Sequence, residues 1–261
     1  MFRRCRLTLL AAGALAAWPA TAQEALPSAE EILRKHVEAR GGLDKLKALQ
    51  SLKLTGKMTM GGGQMEAPVT IQVKRPGRMR MEMSVQGMSF VQAYDGSTAW
   101  GINSFQGVTE PQVSDEEATK TAREQADIEG PLVNYNDKGH LVELIGKEDV
   151  EGSSAYKIKV TRKNGWVDYH FLDEQSFLAV KTTTRRKQLG QELDAESFLS
   201  NYKPVQGILM PHLINQKVAG RGTMQMTMEK IEVNLPIDDA IFKMPAKEKK
   251  EIKEPASPKQ P

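Results

Sequence analysis

Between Arg78 and Val85 every second residue is apolar: Met79, Met81, Met83 and Val85 alternate with Arg78, Arg80, Glu82 and Ser84. A period of two excludes an amphipathic helix and specifies a strand with one buried face. If Gln86-Gly87 is a two-residue hairpin turn, Val85 faces Met88 and Met83 faces Phe90, so the returning strand presents its apolar residues on the same face. The pattern recurs along the chain. Leu52, Leu54, Met58 and Met60 lead through Gly61-Gly62-Gly63, read as a flexible hairpin tip, into Met65, Ala67, Val69, Ile71 and Val73. Asn164-Gly165 reads as a type I′ turn that sets Val160 against Tyr169 and Ile158 against Phe171. With further runs near residues 98–108, 140–150, 177–186, 191–202, 207–219 and 223–233, the chain is predicted to be mainly β, with eleven or twelve antiparallel strands.

Helical signals are few. Ser28 with Glu31 forms a capping box, Ile32, Leu33, Val37 and Ala39 share a side, and Gly41-Gly42 ends the segment. Leu43, Leu46 and Leu49 predict a second short helix. Ser114 with Glu117 repeats the capping pattern and opens a polar helix through about Ala126, stopped by Gly130-Pro131. Residues 246–261 turn to Lys, Glu, Pro and Ser and are predicted to be a disordered tail. The single domain is expected to span residues 23–245.

The first 22 residues read as a cleaved secretory signal: Arg3, Arg4 and Arg6, an apolar core over residues 7–18, and Ala20-Thr21-Ala22 before Gln23. This predicts an exported, periplasmic chain that does not span the membrane. Their removal leaves 33 basic residues against 33 acidic ones, too even a balance for phosphate-backbone recognition, so nucleic acid is excluded as a partner. Cys5 is the only cysteine, and it leaves with the signal. The mature chain then has no disulfide, thiolate metal site or cysteine nucleophile.

Catalytic motifs are absent. His36, His140, His170 and His212 are scattered, and no H-E-x-x-H, G-x-S-x-G or phosphate-cradling loop occurs. His170 alternates outward with Trp166 and Asp168 in the expected register, a surface position. Glu116-Glu117 and Asp238-Asp239 fit a helix start and a turn. No enzyme, cofactor or metal site is predicted. Methionine stands out instead: Met79, Met81, Met83 and Met88 form one cluster and Met224, Met226 and Met228 another, each alternating with polar residues. Thioethers fill irregular cores, and they also line surfaces that accept varied apolar ligands.

Several motifs occur in an order that resembles the LolA-like outer-membrane lipoprotein-sorting carriers. These are Val73-Lys74-Arg75-Pro76, Tyr94-Asp95-Gly96-Ser97-Thr98-Ala99-Trp100, Phe171-Leu172-Asp173, a Leu189-Gly190-Gln191 hairpin, and the run from Ile237-Asp238-Asp239 through Phe242-Lys243-Met244-Pro245. The resemblance implies an open antiparallel half-barrel of about eleven strands under an α-helical lid. It also implies a carrier for lipid or lipoprotein acyl chains, served by membrane-bound loading and receiving proteins. Arg75 would link sheet to lid. The expected cavity is lined by Met79, Met81, Met83, Val85, Met88 and Phe90, joined on the strength of the resemblance by Trp100, Met224, Met226 and Met228. An envelope lipid sensor or protein-interaction module of the same fold is the alternative.

Overall fold

The computed structural model describes residues 26–246 apart from 189–190 and 221. The expected signal segment, the expected hairpin turn at Leu189-Gly190 and the expected tail therefore lie outside the described residues.

Two short helices come first, α1 (Ala29–Ala39) and α2 (Leu43–Lys47). Ser28 caps α1 by accepting the Glu31 amide at 3.1 Å. A Schellman motif ends it: the Gly42 amide bonds Val37 O and the Gly41 amide bonds Glu38 O, both at 2.9 Å. Gly41 has φ +120°, and a Cβ there would overlap the carbonyl of Gly207, so glycine lets the helix pair sit tightly on the sheet.

Among the described residues thirteen strands form one antiparallel sheet. The first meander is β1 (Ser51–Met60), β2 (Met65–Lys74), β3 (Arg78–Val85), β4 (Met88–Tyr94), β5 (Ala99–Asn103) and β6 (Val108–Val113). The second is β7 (Leu141–Val150), β8 (Ser153–Thr161), β9 (Val167–Asp173), β10 (Ala179–Gln188), β11 (Gln191–Val205), β12 (Ile208–Val218) and β13 (Gly222–Val233). β13 returns to pair with β1 at the centre, leaving β6 and β7 as unpaired edges of an open half-barrel. At this seam Gly56 stands opposite a bulge, where a Cβ would overlap Thr227 O.

Because β6 and β7 lie at opposite edges, the chain between them must cross the whole sheet. It does so through α3 (Glu116–Gln125) and a loop. α3 is capped by Asp115, whose Oδ1 accepts the Ala118 amide at 2.7 Å, one residue later than the Ser114 pattern predicts. The short carboxylate reaches the orphan amides and adds favourable charge at the helix start.

The three α-helices of the described residues cover one face. Leu46 and Leu49 pack with Ile208, Met210, Met228, Ile231 and Val233. Ile32 and Leu33 pack with Tyr156, Ile158, Val160 and Leu172. Ala122 and Ala126, one turn apart on α3, meet Val73, Met79, Tyr94 and Ala99. Small side chains let that helix lie close.

Two sequence expectations need correction here. The sheet has thirteen strands because β6 carries Pro111 and an irregular polar pattern, features an edge strand tolerates and that hide it from periodicity. The β8–β9 hairpin has a three-residue loop, Lys163 to Gly165. The Arg162 amide bonds Trp166 O at 2.7 Å and Gly165 takes φ +85° as the left-handed residue of a bulge. Val160 therefore faces Asp168 and Ile158 faces His170. The one-residue slip turns Asp168 and His170 inward and Tyr169 and Phe171 outward.

Candidate functional site

The β3–β4 hairpin has the two-residue turn, with Gln86 at φ 52° and Gly87 at 78°. Val85 stands opposite Met88, Met83 opposite Phe90, and Met79 opposite Tyr94. The row through Met83 continues to Val69 of β2. Met58 is flanked by Ala67 and Met226, and Met60 by Met65 and Met224. Directly opposed residues share a face, so these strands build one apolar surface at the end of the sheet the helices do not reach. Its floor, Met58, Ala67, Val69 and Met83, is buried. Met60, Met81, Val85, Phe90, Met224 and Met226, with Phe105 from the turn after β5, pack against that floor and remain part-exposed.

The ten residues expected in the cavity thus divide. Met81, Met83, Val85, Phe90, Met224 and Met226 come together on this surface. Met88 sits part-exposed at its rim beside the turn. Met79 and Met228 lie on the same face but under the lid, as core against α3 and α2. Trp100 is a correction. It pairs with Ala93, whose side chain points away from Tyr94, so the indole lies on the opposite face with Val91 and Ala93. There its Nε1 donates to Phe242 O at 2.8 Å and Arg80 lies over the ring. The surface is a half-open patch rather than an enclosed cavity. A cleft of about 440 Å³ at the β12–β13 hairpin end adjoins the patch through Met224, and a second of about 600 Å³ lies elsewhere, at the Gln50–Leu235 corner. Met58, Met60 and Phe105 are additional members. The alternation through Met58 and Met60 signals the first two, whereas nothing local marks Phe105.

At the other end of the same strands, charged groups join lid to sheet. Arg75 Nε donates to Leu49 O at 2.6 Å and its guanidinium pairs with Glu129, a carboxylate only 5 % exposed in the crossover loop. Arg40, capping α1, donates to Glu129 O at 3.0 Å, and Lys138 holds Asp127 at 2.6 Å. One guanidinium thereby connects the β2–β3 turn, the end of α2 and the crossover. α3 spans the two wings of the sheet: Arg123 Nε donates to Tyr94 Oη at 3.2 Å, while Glu124 pairs with Arg162 beyond β8.

Two imidazoles lie buried under the lid. His36 of α1 contacts Phe177 O at 2.8 Å through Nδ1, and His170 Nε2 has no hydrogen-bond partner among the described residues. Burial pulls both down to about 4 from 6.5. Both are neutral in the fold at pH 7, and the unfolded chain binds more protons between about 4 and 6.5. Stability is therefore full above 6.5 and falls as pH drops through that window, by at most about 3 kcal/mol per histidine. Urea midpoints at pH 7 and pH 5 should show this loss, with a markedly smaller drop for His170→Asn. Equal drops would remove His170 from the account.

No family model and no curated protein matches the chain. Solved structures do. A DUF1329 family protein from Desulfovibrio piger superposes with TM-score 0.56 at 13% identity, over 82% of this chain and 96% of its own. A LolA superfamily protein from Nitrosomonas europaea gives 0.53 at 14%, over 84% and 98%. The fold is LolA-like. A third solved structure, titled a “putative outer membrane lipoprotein-sorting protein domain” from Vibrio parahaemolyticus, gives 0.52 at 12%, over 81% and 94%. At such identities the likeness is one of fold, the open LolA-like half-barrel with its helices on one face. No helix among the described residues is long and apolar enough to cross a membrane.

Proposed function

We propose that this protein is a non-enzymatic periplasmic carrier that shelters acyl chains of lipids or lipoproteins, loading and delivering them at membrane-bound partners. The observation that supports this reading is the half-open apolar patch over β13, β1, β2, β3 and β4, lined by flexible thioethers and left uncovered by the lid. Each acyl methylene kept from water on it is worth about 0.8 kcal/mol, which retains the chain while it crosses an aqueous space. The sorting role named for one structural neighbour and the export signal agree with this reading. A chain that runs on from the patch over Met79 and Met228 lies beneath the lid and is released only when the lid loosens, and Arg75 is placed to control that. Its hydrogen bonds to Leu49 O and Glu129 contribute about 1.5–3 kcal/mol each where shielded, enough to hold the lid and small enough to be remade.

The test is the dissociation rate of a bound fluorescent fatty acid from the wild type, Arg75→Leu and Arg75→Lys. Release should be about tenfold faster from the leucine variant and intermediate from the lysine variant, whose ammonium lacks the planar fork. Identical rates would remove Arg75 from the mechanism. Absence of probe binding in all three would overturn the carrier reading.

A further inference from the structure

At the outer end of the patch three methionines stand side by side. Met60 ends β1, where it opposes Met224 of β13 on one flank and Met65 of β2 on the other. The three occupy one row across adjacent strands and share a face. One row inward, Met58 opposes Met226. The outer row is open to solvent: Met65 is 39 % exposed, Met60 and Met224 are part-exposed, and a side chain added at Gly62 or Gly63 of the adjoining turn would meet nothing within 4 Å. Apolar character alone does not account for such a row, since leucine would bury a ligand as well. What a thioether adds is a soft sulfur lone pair.

We propose that Met60, Met65 and Met224 form a binding site for a soft monovalent cation, Cu(I) in chemical class, with Ag(I) as its air-stable probe. Thioethers favour such ions over zinc, calcium or magnesium. Three sulfurs around an ion with bonds of roughly 2.3 Å stand about 4 Å apart. Adjacent strands are spaced about 4.8 Å, and the three rotatable bonds of methionine let the flanking side chains lean to the centre. Among the described residues no group of three His, Cys, Asp or Glu competes for a harder metal. A thioether carries no proton in this range, so the affinity is independent of pH, unlike that of an imidazole or thiolate site.

The experiment is Ag(I) titration of the purified protein, followed by calorimetry and by the methionine methyl signals in carbon-13 NMR. One ion per chain is expected, with three methyl signals shifting and the same affinity at pH 5.5 and 7.5. Met60→Leu, Met65→Leu and Met224→Leu should each weaken binding at least about tenfold, while Met88→Leu, a methionine outside the row, should not. Leucine conserves volume and apolarity, so chemical-denaturation midpoints should stay within error in all four, and fatty-acid binding by the wild type, measured alongside, separates failure of this site from failure of the carrier reading. Ag(I) binding that is absent, that survives Met60→Leu unchanged, or that falls equally with Met88→Leu would overturn the proposal.

Discussion

Phe90→Asp should lower the affinity for a fluorescent fatty acid by at least about thirtyfold, roughly 2 kcal/mol. Phe90 is part-exposed and packs against Met83 and its neighbours, so the free protein can keep the new carboxylate hydrated at the rim. A bound acyl chain would cover it and strip that water, and no cation is paired with Phe90 to compensate. The penalty therefore falls on the complex more than on the fold. Phe90→Leu, which retains apolar surface, should bind within a fewfold of wild type. Unchanged binding by a folded Phe90→Asp protein would mean that the chain sits elsewhere.

Asp168→Ala should destabilise the protein by roughly 3–5 kcal/mol. Asp168 is fully buried and its carboxylate lies between the guanidinium groups of Arg162 and Arg186. Arg162 also carries Glu124 of α3, and Arg186 lies over the Trp166 ring at 4.2 Å. Removing the carboxylate leaves two poorly hydrated cations facing each other and loosens the strand to which α3 is tied. Asp168→Asn keeps the shape and should cost less, since an amide oxygen still accepts one hydrogen bond. Chemical denaturation gives the answer, and a loss below about 1 kcal/mol for the alanine variant would contradict this placement.

How much of this was legible in the sequence depended on turn chemistry. Gln86-Gly87 and Asn164-Gly165 carry similar local signals, yet one closes a two-residue turn and the other a three-residue loop with Gly165 as the bulge. Alternation shows which residues share a face, while loop length decides which face it is. That single residue separates the outward Asp168 and His170 of the sequence reading from the buried pair in the fold. Trp100 misleads similarly: its place in a motif says nothing of parity, and its pairing with Ala93 settles its face. The methionine strands were legible because their period is unbroken. Glu129, the partner of Arg75, was not, because it lies in a crossover loop with no periodicity and its burial follows only from the path between opposite sheet edges.

Native mass spectrometry of the protein purified from the cells that make it tests the carrier reading most directly. The account predicts the intact chain together with a population carrying added mass of a fatty-acyl lipid or lipoprotein fragment, and loss of that population in Phe90→Asp. A wild-type protein that emerges free of any acylated species under conditions that preserve noncovalent lipid binding would contradict it.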